Sequence, residues 1–483
     1  MGANAMIIKL AIVGTAQPHQ ESAAEKLKHS PGLIVYHGLG SGKSFTSLLA
    51  GEGIKGQKLV LPPAALQGNY AKEMTKFKVK HPDYKIMSME TFRKNPDKYI
   101  EKHKPELVIA DEVHRARTEG SVTLSALQQN RHKFKKFLGL TGSPISNDPS
   151  DVAPLINLAA GANVFPDAKR FHERYVFDRP KKPGLLGRIL RVKPGIVSEP
   201  RNMAEFKAKA SPYIHSFSGS KEYAKHIPSV KSETVHVPMD KEQKDYYDFA
   251  MGKLPAWSRY KISHNLPPSK SEVVKMNAFF SAARQISNTP HAFGGHAGSP
   301  KLNRMIHDIE HGIKHDPNFK SVTYSNYLNS GLNDIGQLLD KRKIKYGRFT
   351  GEESADVRDS NVRSFNSGKL RHLLVSPAGA EGLDLKGAKL LQIADPHWNP
   401  ERTKQVIGRT ARFKSHESLP MAERNVVVKQ YLSEPPKSLM TKIKSWFSPL
   451  PLHQIGVDEY IHSRAGEKER LNEAFLNTLK EIK

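Results

Sequence analysis

An apolar run from Gly32 to Tyr36 leads into His37-Gly38-Leu39-Gly40-Ser41-Gly42-Lys43-Ser44, and a helix-compatible run, Phe45 to Ala50, follows at once. Few chains other than an α/β unit with an anion site can use this order. Glycines let backbone N–H groups come close to phosphate oxygens. The N-terminus of the next helix adds partial positive charge. Lys43 suits the β- and γ-phosphates of a nucleotide, and the Ser44 hydroxyl suits Mg²⁺. The common signature has Gly where His37 stands. The competing reading is a Gly-rich turn that happens to precede Lys-Ser.

The same rhythm continues. Lys58–Leu61, Glu106–Ala110 and Phe137–Thr141 read as buried parallel strands with helical segments between them. A second set comprises Thr234–Val237, Val322–Ser325, Lys345–Phe349, His372–Ser376 and Lys389–Ile393. The fold class is therefore α/β, with parallel sheets flanked by helices and helical insertions. The expected division is a first lobe over 1–150 and a helical, basic link over 151–230. Next come a first strand and helical insertion over 231–300, a second lobe over 301–430 and an extension over 431–483. The extension ends in an amphipathic charged helix from Val457. In open α/β sheets ligands bind at the carboxyl ends of strands, where the polar motifs stand here.

The chain has 483 residues, 38% hydrophobic and 25% charged, which suits two or three domains rather than a disordered polymer. Its formal net charge of +27 attracts polyanions, nucleic acid first and an anionic membrane surface second. No apolar run approaches the roughly 18–20 residues needed to span a bilayer. Met6 to Gly14 is expected to be a strand or lead-in segment rather than a signal peptide. With no cysteine, disulfides, thiolate metal sites and cysteine nucleophiles are excluded, and a reducing cytoplasmic compartment is compatible. The segment Arg179 to Lys193 is basic and rich in Pro and Gly, an exposed loop or hairpin that is either solvated or a nucleic-acid contact.

Leu107-Val108-Ile109-Ala110 runs straight into Asp111-Glu112-Val113-His114. Carboxylates delivered by a strand downstream of a phosphate loop have a defined use. Asp111 can hold Mg²⁺ and Glu112 can orient and deprotonate the attacking water. The hydroxyls of Leu140-Thr141-Gly142-Ser143-Pro144 could sense the γ-phosphate; the alternative is a plain turn.

Together these residues resemble helicase superfamily 2, in particular the Swi/Snf-like DNA translocases. Asp111 to His114 with Leu140 to Asn147 carries the likeness. So do Pro18-His19-Gln20, Leu59 to Pro62 with Leu66 and Asn69-Tyr70, and Ser88 to Phe92. In the second half Gly351, Arg358, Phe365-Asn366 and Ser376 to Leu385 fit, followed by Asp395-Pro396-His397-Trp398-Asn399-Pro400 and Gln405-Val406-Ile407-Gly408-Arg409-Thr410-Ala411-Arg412. The likeness covers roughly residues 15 to 430. It implies two RecA-like lobes and an ATP- and Mg²⁺-dependent motor on nucleic acid, most of all double-stranded DNA, with no membrane partner. The implied catalytic residues are Lys43, Asp111, Glu112, Arg409 and Arg412, the two arginines reaching ATP from lobe two. The nucleotide would be held by Gln20, Gly38, Gly40, Ser41, Gly42, Lys43, Ser44, Gly382, Asp384 and Gln405, and the metal by Ser44 and Asp111. Candidate nucleic-acid contacts are Pro62, Ser88, Arg93, Ser325, Asn326, Ser376 and Trp398; Trp398 has core packing as an equal alternative.

Phe413-Lys414-Ser415 departs from the Gly-Gln common after the second arginine. No accessory reader domain fits, so a minimal phage, viral or bacterial motor is expected. The insert Glu434 to Leu452 is outside the family core, and a protein partner could use the C-terminal extension. His307, His311 and His315 recur at helical spacing, but Leu302, Met305, Ile306, Ile309 and Ile313 form that helix's apolar stripe, leaving the histidines on a wetter side. Three functional classes remain: a translocase that leaves strands paired, a strand-separating or branch-migrating helicase, and a non-catalytic nucleic-acid binder.

Overall fold

The computed structural model describes residues 16–38, 41–79, 81–181, 188, 194–219, 225–267, 280–296, 298–377, 383–436 and 455–482. Met6 to Gly14, Leu39, Gly40, Gly382, most of 182–193 and most of the 434–452 insert lie outside the described residues. The chain divides into two compact units: unit 1 is Met1–Phe177, Ser198–Lys221 and Arg470–Lys483, and unit 2 is Asp178–Val197 and Glu222–Glu469.

In chain order the first strands are β1 (Gly32–His37), β2 (Lys58–Leu61), β3 (Tyr84–Ile86), β4 (Leu107–Ala110) and β5 (Lys136–Thr141). Then come β6 (Val176–Lys181), β7 (Gly195–Pro200) and β8 (Ile214–Phe217). Unit 1 is built on one sheet, order β3-β2-β4-β5-β1-β8, whose pairs all run parallel. β6 and β7 pair separately, so Arg179 to Lys181 of the basic segment end a strand. Every residue of β2 and β4 is buried, as parallel strands covered on both faces require.

Four helices of unit 1 matter for the site: α1 (Pro18–Lys28), α2 (Lys43–Glu52), α3 (Gln67–Lys76) and α4 (Val152–Ala160). α4 lies so close to β1 that a Cβ on Gly32 would fall 2.5 Å from the Ala159 carbonyl oxygen and 2.7 Å from that of Phe137.

Unit 2 repeats the plan with β9 (Ser229–Pro238), β10 (Ser321–Tyr324), β11 (Tyr346–Phe349), β12 (His372–Val375), β13 (Leu390–Ile393) and β14 (Asn425–Glu434). Its order is β11-β12-β10-β13-β14-β9, again all parallel. Around it lie α5 (Lys241–Gly252), α6 (Pro300–His315), α7 (Pro400–Thr410) and the start of α8 (Val457–Lys480). On α6, Leu302, Met305, Ile306 and Ile309 are buried and His307, His311 and His315 are exposed. No described helix is long and apolar enough to cross a membrane.

Two boundaries differ from the sequence expectation. Much of 151–230 belongs to unit 1, because α4 covers β1 and β8 adds a strand beside β1. The C-terminal extension is not separate either. Glu434 ends β14, Val457, Tyr460 and Ile461 of α8 enter an apolar cluster of unit 2, and Leu471, Phe475, Leu476 and Leu479 join the main core of unit 1. The short strands β3 and β8 and the long β14 were not foreseen; β8, Ile-His-Ser-Phe, has too little apolar character to stand out.

A fully buried ion pair joins three elements of unit 2. Lys301 Nζ on α6 lies 2.7 Å from Asp458 Oδ2 on α8 and donates to the Ala394 carbonyl at 2.8 Å, with both side chains at 0% exposure. Asp458 Oδ2 also accepts the Ser433 N–H of β14 at 3.1 Å. Removing one partner leaves a buried charge, a loss of about 3–5 kcal/mol. Asp458→Asn is therefore expected to lower the denaturation midpoint sharply, and Lys301→Met with Asp458→Leu to restore much of it. Chemical denaturation of the three proteins checks this, and a neutral Asp458→Asn would contradict it.

Candidate nucleotide site

Parallel pairing puts the carboxyl ends of β1, β4 and β5 on one edge of the sheet, with β5 between the other two. The phosphate-loop residues, the acidic pair and Thr141 therefore converge although they are far apart in sequence.

The described part of the loop is tightly held. Gly38 donates its N–H to the Phe217 carbonyl of β8 at 3.1 Å, and the Ser41 hydroxyl donates to the Gly38 carbonyl at 2.7 Å. Gly42 takes φ +76°, a left-handed turn that launches α2 at Lys43. Ser44 is therefore in the first turn of α2, where N–H groups lack helical partners. The Lys43 ammonium folds back on the His37 and Gly38 carbonyls at 3.3 and 3.4 Å. Gln20 of α1 donates to the Ser41 carbonyl at 3.2 Å and accepts the Gln17 N–H at 2.9 Å, so its amide is locked against the loop.

His37 is the last residue of β1 and is fully buried. Its Nε2 meets His215 Nδ1 at 2.9 Å, and His215 Nε2 meets the Ser22 hydroxyl at 3.1 Å. Burial and the neighbouring histidines push His37 down to about 2; burial and Lys26 push His215 down to about 4, so both are neutral at pH 7. His19 stacks flat on Phe217, centroids 3.6 Å apart, with its Nε2 3.2 Å from the Ser41 carbonyl. A histidine thus replaces the first glycine because that position ends the strand and its side chain packs with His215.

Asp111 is 8% exposed at the end of β4. Burial first, then the charge of Glu112, raises its carboxyl to about 7, with Lys43 opposing. Glu112 adopts φ +48°, ψ 46°, a left-handed conformation that is costly for a non-glycine residue and recurs at functional sites. Its Oε2 lies 3.1 Å from His114 Nδ1, which lies 3.4 Å from the Thr141 hydroxyl oxygen. Thr141 Oγ1 accepts the Ser143 N–H at 3.0 Å. A continuous polar chain therefore links the Thr-Gly-Ser turn to Glu112.

Glu73 on α3 was missed. It hydrogen-bonds Ser44, its Oε2 is buried without a hydrogen-bond partner, burial raises its pKa, and its charge acts on Asp111. In sequence it is one glutamate on a polar helix, with nothing to separate it from a solvated one. The Ser44 hydroxyl, the buried Asp111 carboxylate and the half-buried Glu73 carboxylate are hard oxygen donors whose negative charge Lys43 and Lys76 only partly offset, a set that fits Mg²⁺.

The other residues singled out have varied surroundings. Pro62 is buried and its carbonyl accepts the Met89 N–H at 2.9 Å. The Ser88 hydroxyl caps the next helix by accepting the Thr91 N–H at 3.1 Å, and Arg93 is exposed. In unit 2, Ser325 and Asn326 follow β10, and their side chains hydrogen-bond the buried Asp395 carboxylate at 2.6 and 2.5 Å. Ser376 is buried. Trp398 is half-buried, its ring stacked on Phe280 and edge-on to Tyr460 against the apolar cluster. On α7, Gln405 is exposed and Arg409 half-buried, and beyond the helix Arg412 pairs with Asp384 at 3.2 Å.

The SNF2-related domain profile matches residues 55–292, and the helicase conserved C-terminal domain profile matches 301–414. The chain belongs to the Swi/Snf-related branch of helicase superfamily 2 and is an ATP-hydrolysing nucleic-acid motor. Among similar proteins is one from Acanthamoeba polyphaga mimivirus named as an ATP-dependent RNA helicase, 27% identical over 94% of this chain and 94% of its own. Another is a termination factor NPH-I homolog of African swine fever virus, 23% identical over 94% of this chain and 76% of its own. Similar solved structures include the Sulfolobus solfataricus SWI2/SNF2 ATPase core in complex with dsDNA, 18% identical, covering 98% of each chain at TM-score 0.38. The Pyrococcus furiosus Hef helicase domain is 15% identical, covering 89% of this chain and 98% of its own at TM-score 0.48.

The raised Asp111 carboxyl has a measurable consequence. In the nucleotide-free protein the proton is held below about 7, so this group favours folding at low pH and that contribution is lost as pH rises through about 7. Asp111→Asn should therefore be more stable than wild type at pH 8 and similar at pH 4. Thermal unfolding of both proteins across that range checks it; a constant difference would show that Asp111 ionises normally.

Proposed function

We propose that this protein couples Mg²⁺-dependent ATP hydrolysis to movement along double-stranded DNA without separating its strands. The observation that carries this reading is the SNF2-related match over 55–292, continued by the helicase C-terminal match. The net charge of +27 supports a polyanionic track held through its backbone.

In this reading Lys43 and the start of α2 bind the β- and γ-phosphates. Ser44 and Asp111 hold Mg²⁺, which neutralises charge on the phosphates. Glu112 accepts the proton of the attacking water, and His114 with Thr141 reports the phosphate state. Gln20 binds the base; Gly382, Asp384 and Gln405 contribute from the second half. Arg409 and Arg412 stabilise charge on the γ-phosphate, and such an arginine typically contributes about 10³–10⁵ in rate. Because Lys43 and Arg409 belong to different units, turnover requires both. Arg93 and the segments around Pro62, Ser88, Ser325, Asn326 and Ser376 contact the phosphate backbone. The viral relatives support a site of action in the host-cell cytoplasm. The mimivirus relative's name favours a second reading, a helicase that unwinds RNA or hybrids.

ATP turnover with and without duplex DNA tests the motor. Wild type should be stimulated, and more weakly as salt rises. Lys43→Ala should lose nucleotide affinity. Glu112→Gln and Arg409→Ala should bind ATP yet turn over at least about 10²-fold more slowly. Triplex displacement without fork unwinding supports translocation; unwinding of forks or hybrids, without triplex displacement, supports the helicase.

A further inference from the structure

Among the described residues, one group of three metal-capable side chains converges: His236, Glu434 and Glu459, whose ligand atoms all lie within 4.8 Å of one another. All three belong to unit 2. His236 is near the end of β9 and Glu434 ends β14; the two strands are parallel neighbours, with His236 opposite Leu432. Glu459 is the third residue of α8.

His236 Nδ1 stands 2.6 Å from Glu434 Oε1 and 3.3 Å from Glu459 Oε2. One imidazole nitrogen donates at most one hydrogen, so it cannot satisfy both carboxylates. Glu459 Oε2 is buried without a hydrogen-bond partner. Two carboxylates and one imidazole therefore gather where β9, β14 and α8 meet.

The scaffold beneath is rigid. Asp458, next to Glu459, is pinned by Lys301, and the Val457 N–H donates to the Tyr247 hydroxyl at 2.8 Å. Gly456 packs so tightly that a Cβ would lie 2.7 Å from the Ser433 carbonyl oxygen. Glu459 is thus delivered to His236 by elements held for independent reasons, as a metal site needs.

We propose that His236, Glu434 and Glu459 bind a divalent transition-metal ion, Zn²⁺ above all, which fastens the start of α8 to the β9–β14 edge. Imidazole nitrogen with carboxylate oxygen suits Zn²⁺, whose bonds of about 2.0–2.2 Å need only small side-chain shifts from this arrangement. Two carboxylates balance the charge of the ion. This site is separate from the nucleotide site and independent of its Mg²⁺.

The test uses the full chain stripped with chelator, then titrated with Zn²⁺ by calorimetry and with Co²⁺ by visible absorption. One site per chain is expected, together with a metal-dependent rise in Tm. His236→Ala and Glu459→Gln should each weaken binding at least about tenfold. A His307→Ala, His311→Ala, His315→Ala variant should bind as wild type. Circular dichroism without metal verifies that each variant is folded. Absence of a stoichiometric site, binding unchanged in folded His236→Ala and Glu459→Gln, or binding lost with the α6 histidines would each overturn the proposal.

Discussion

All strands of each main sheet run in one direction, and that constraint organises the chemistry of both units. Parallel strands need long crossovers, so each polar segment after a strand emerges at the same edge. In unit 1 this gathers the loop after β1, the acidic pair after β4 and the Thr-Gly-Ser turn after β5. In unit 2 the same rule gathers Ser325-Asn326 after β10 with Asp395 after β13. The price of such a sheet is double-sided burial, visible in strands with no exposed residue.

Buried carboxylates separate into two kinds. Asp395 and Asp458 are held by donors within the fold: Ser325, Asn326 and Asn288 for the first, Lys301 and the Ser433 N–H on one oxygen of the second. They order the fold. Asp111 and Glu73 gather near Ser44 with too little positive charge, and burial raises both. Under-compensated acids beside a helix N-terminus mark a candidate functional site. Glu112, held left-handed beside them, stores local strain where chemistry is expected.

Local pattern made much of this legible. Nine strands were expected and each overlaps an observed one; most are buried parallel strands, which read as short, continuous apolar runs, whereas β9 is exposed along most of its length. Lys43, Asp111 and Glu112 stood out because each follows such a run. Glu73 and His215 did not, since one is a lone acid on a polar helix and the other sits in a weakly apolar strand. Trp398 remained ambiguous in sequence because an aromatic ring serves stacking and packing equally; in the structure it is half-buried against Phe280 and Tyr460.

The sequence by itself determined the parallel α/β class, the phosphate loop and its acidic partners, and the order of motifs that marks the family. These depend on neighbours within a few residues. Only the tertiary structure decided that β8 and the last turns of α8 complete unit 1, that His37 packs with His215, that Glu73 joins Ser44, and that His236, Glu434 and Glu459 meet. Those pairings join residues tens to hundreds of positions apart, and no local periodicity records which distant strand or helix will supply the partner.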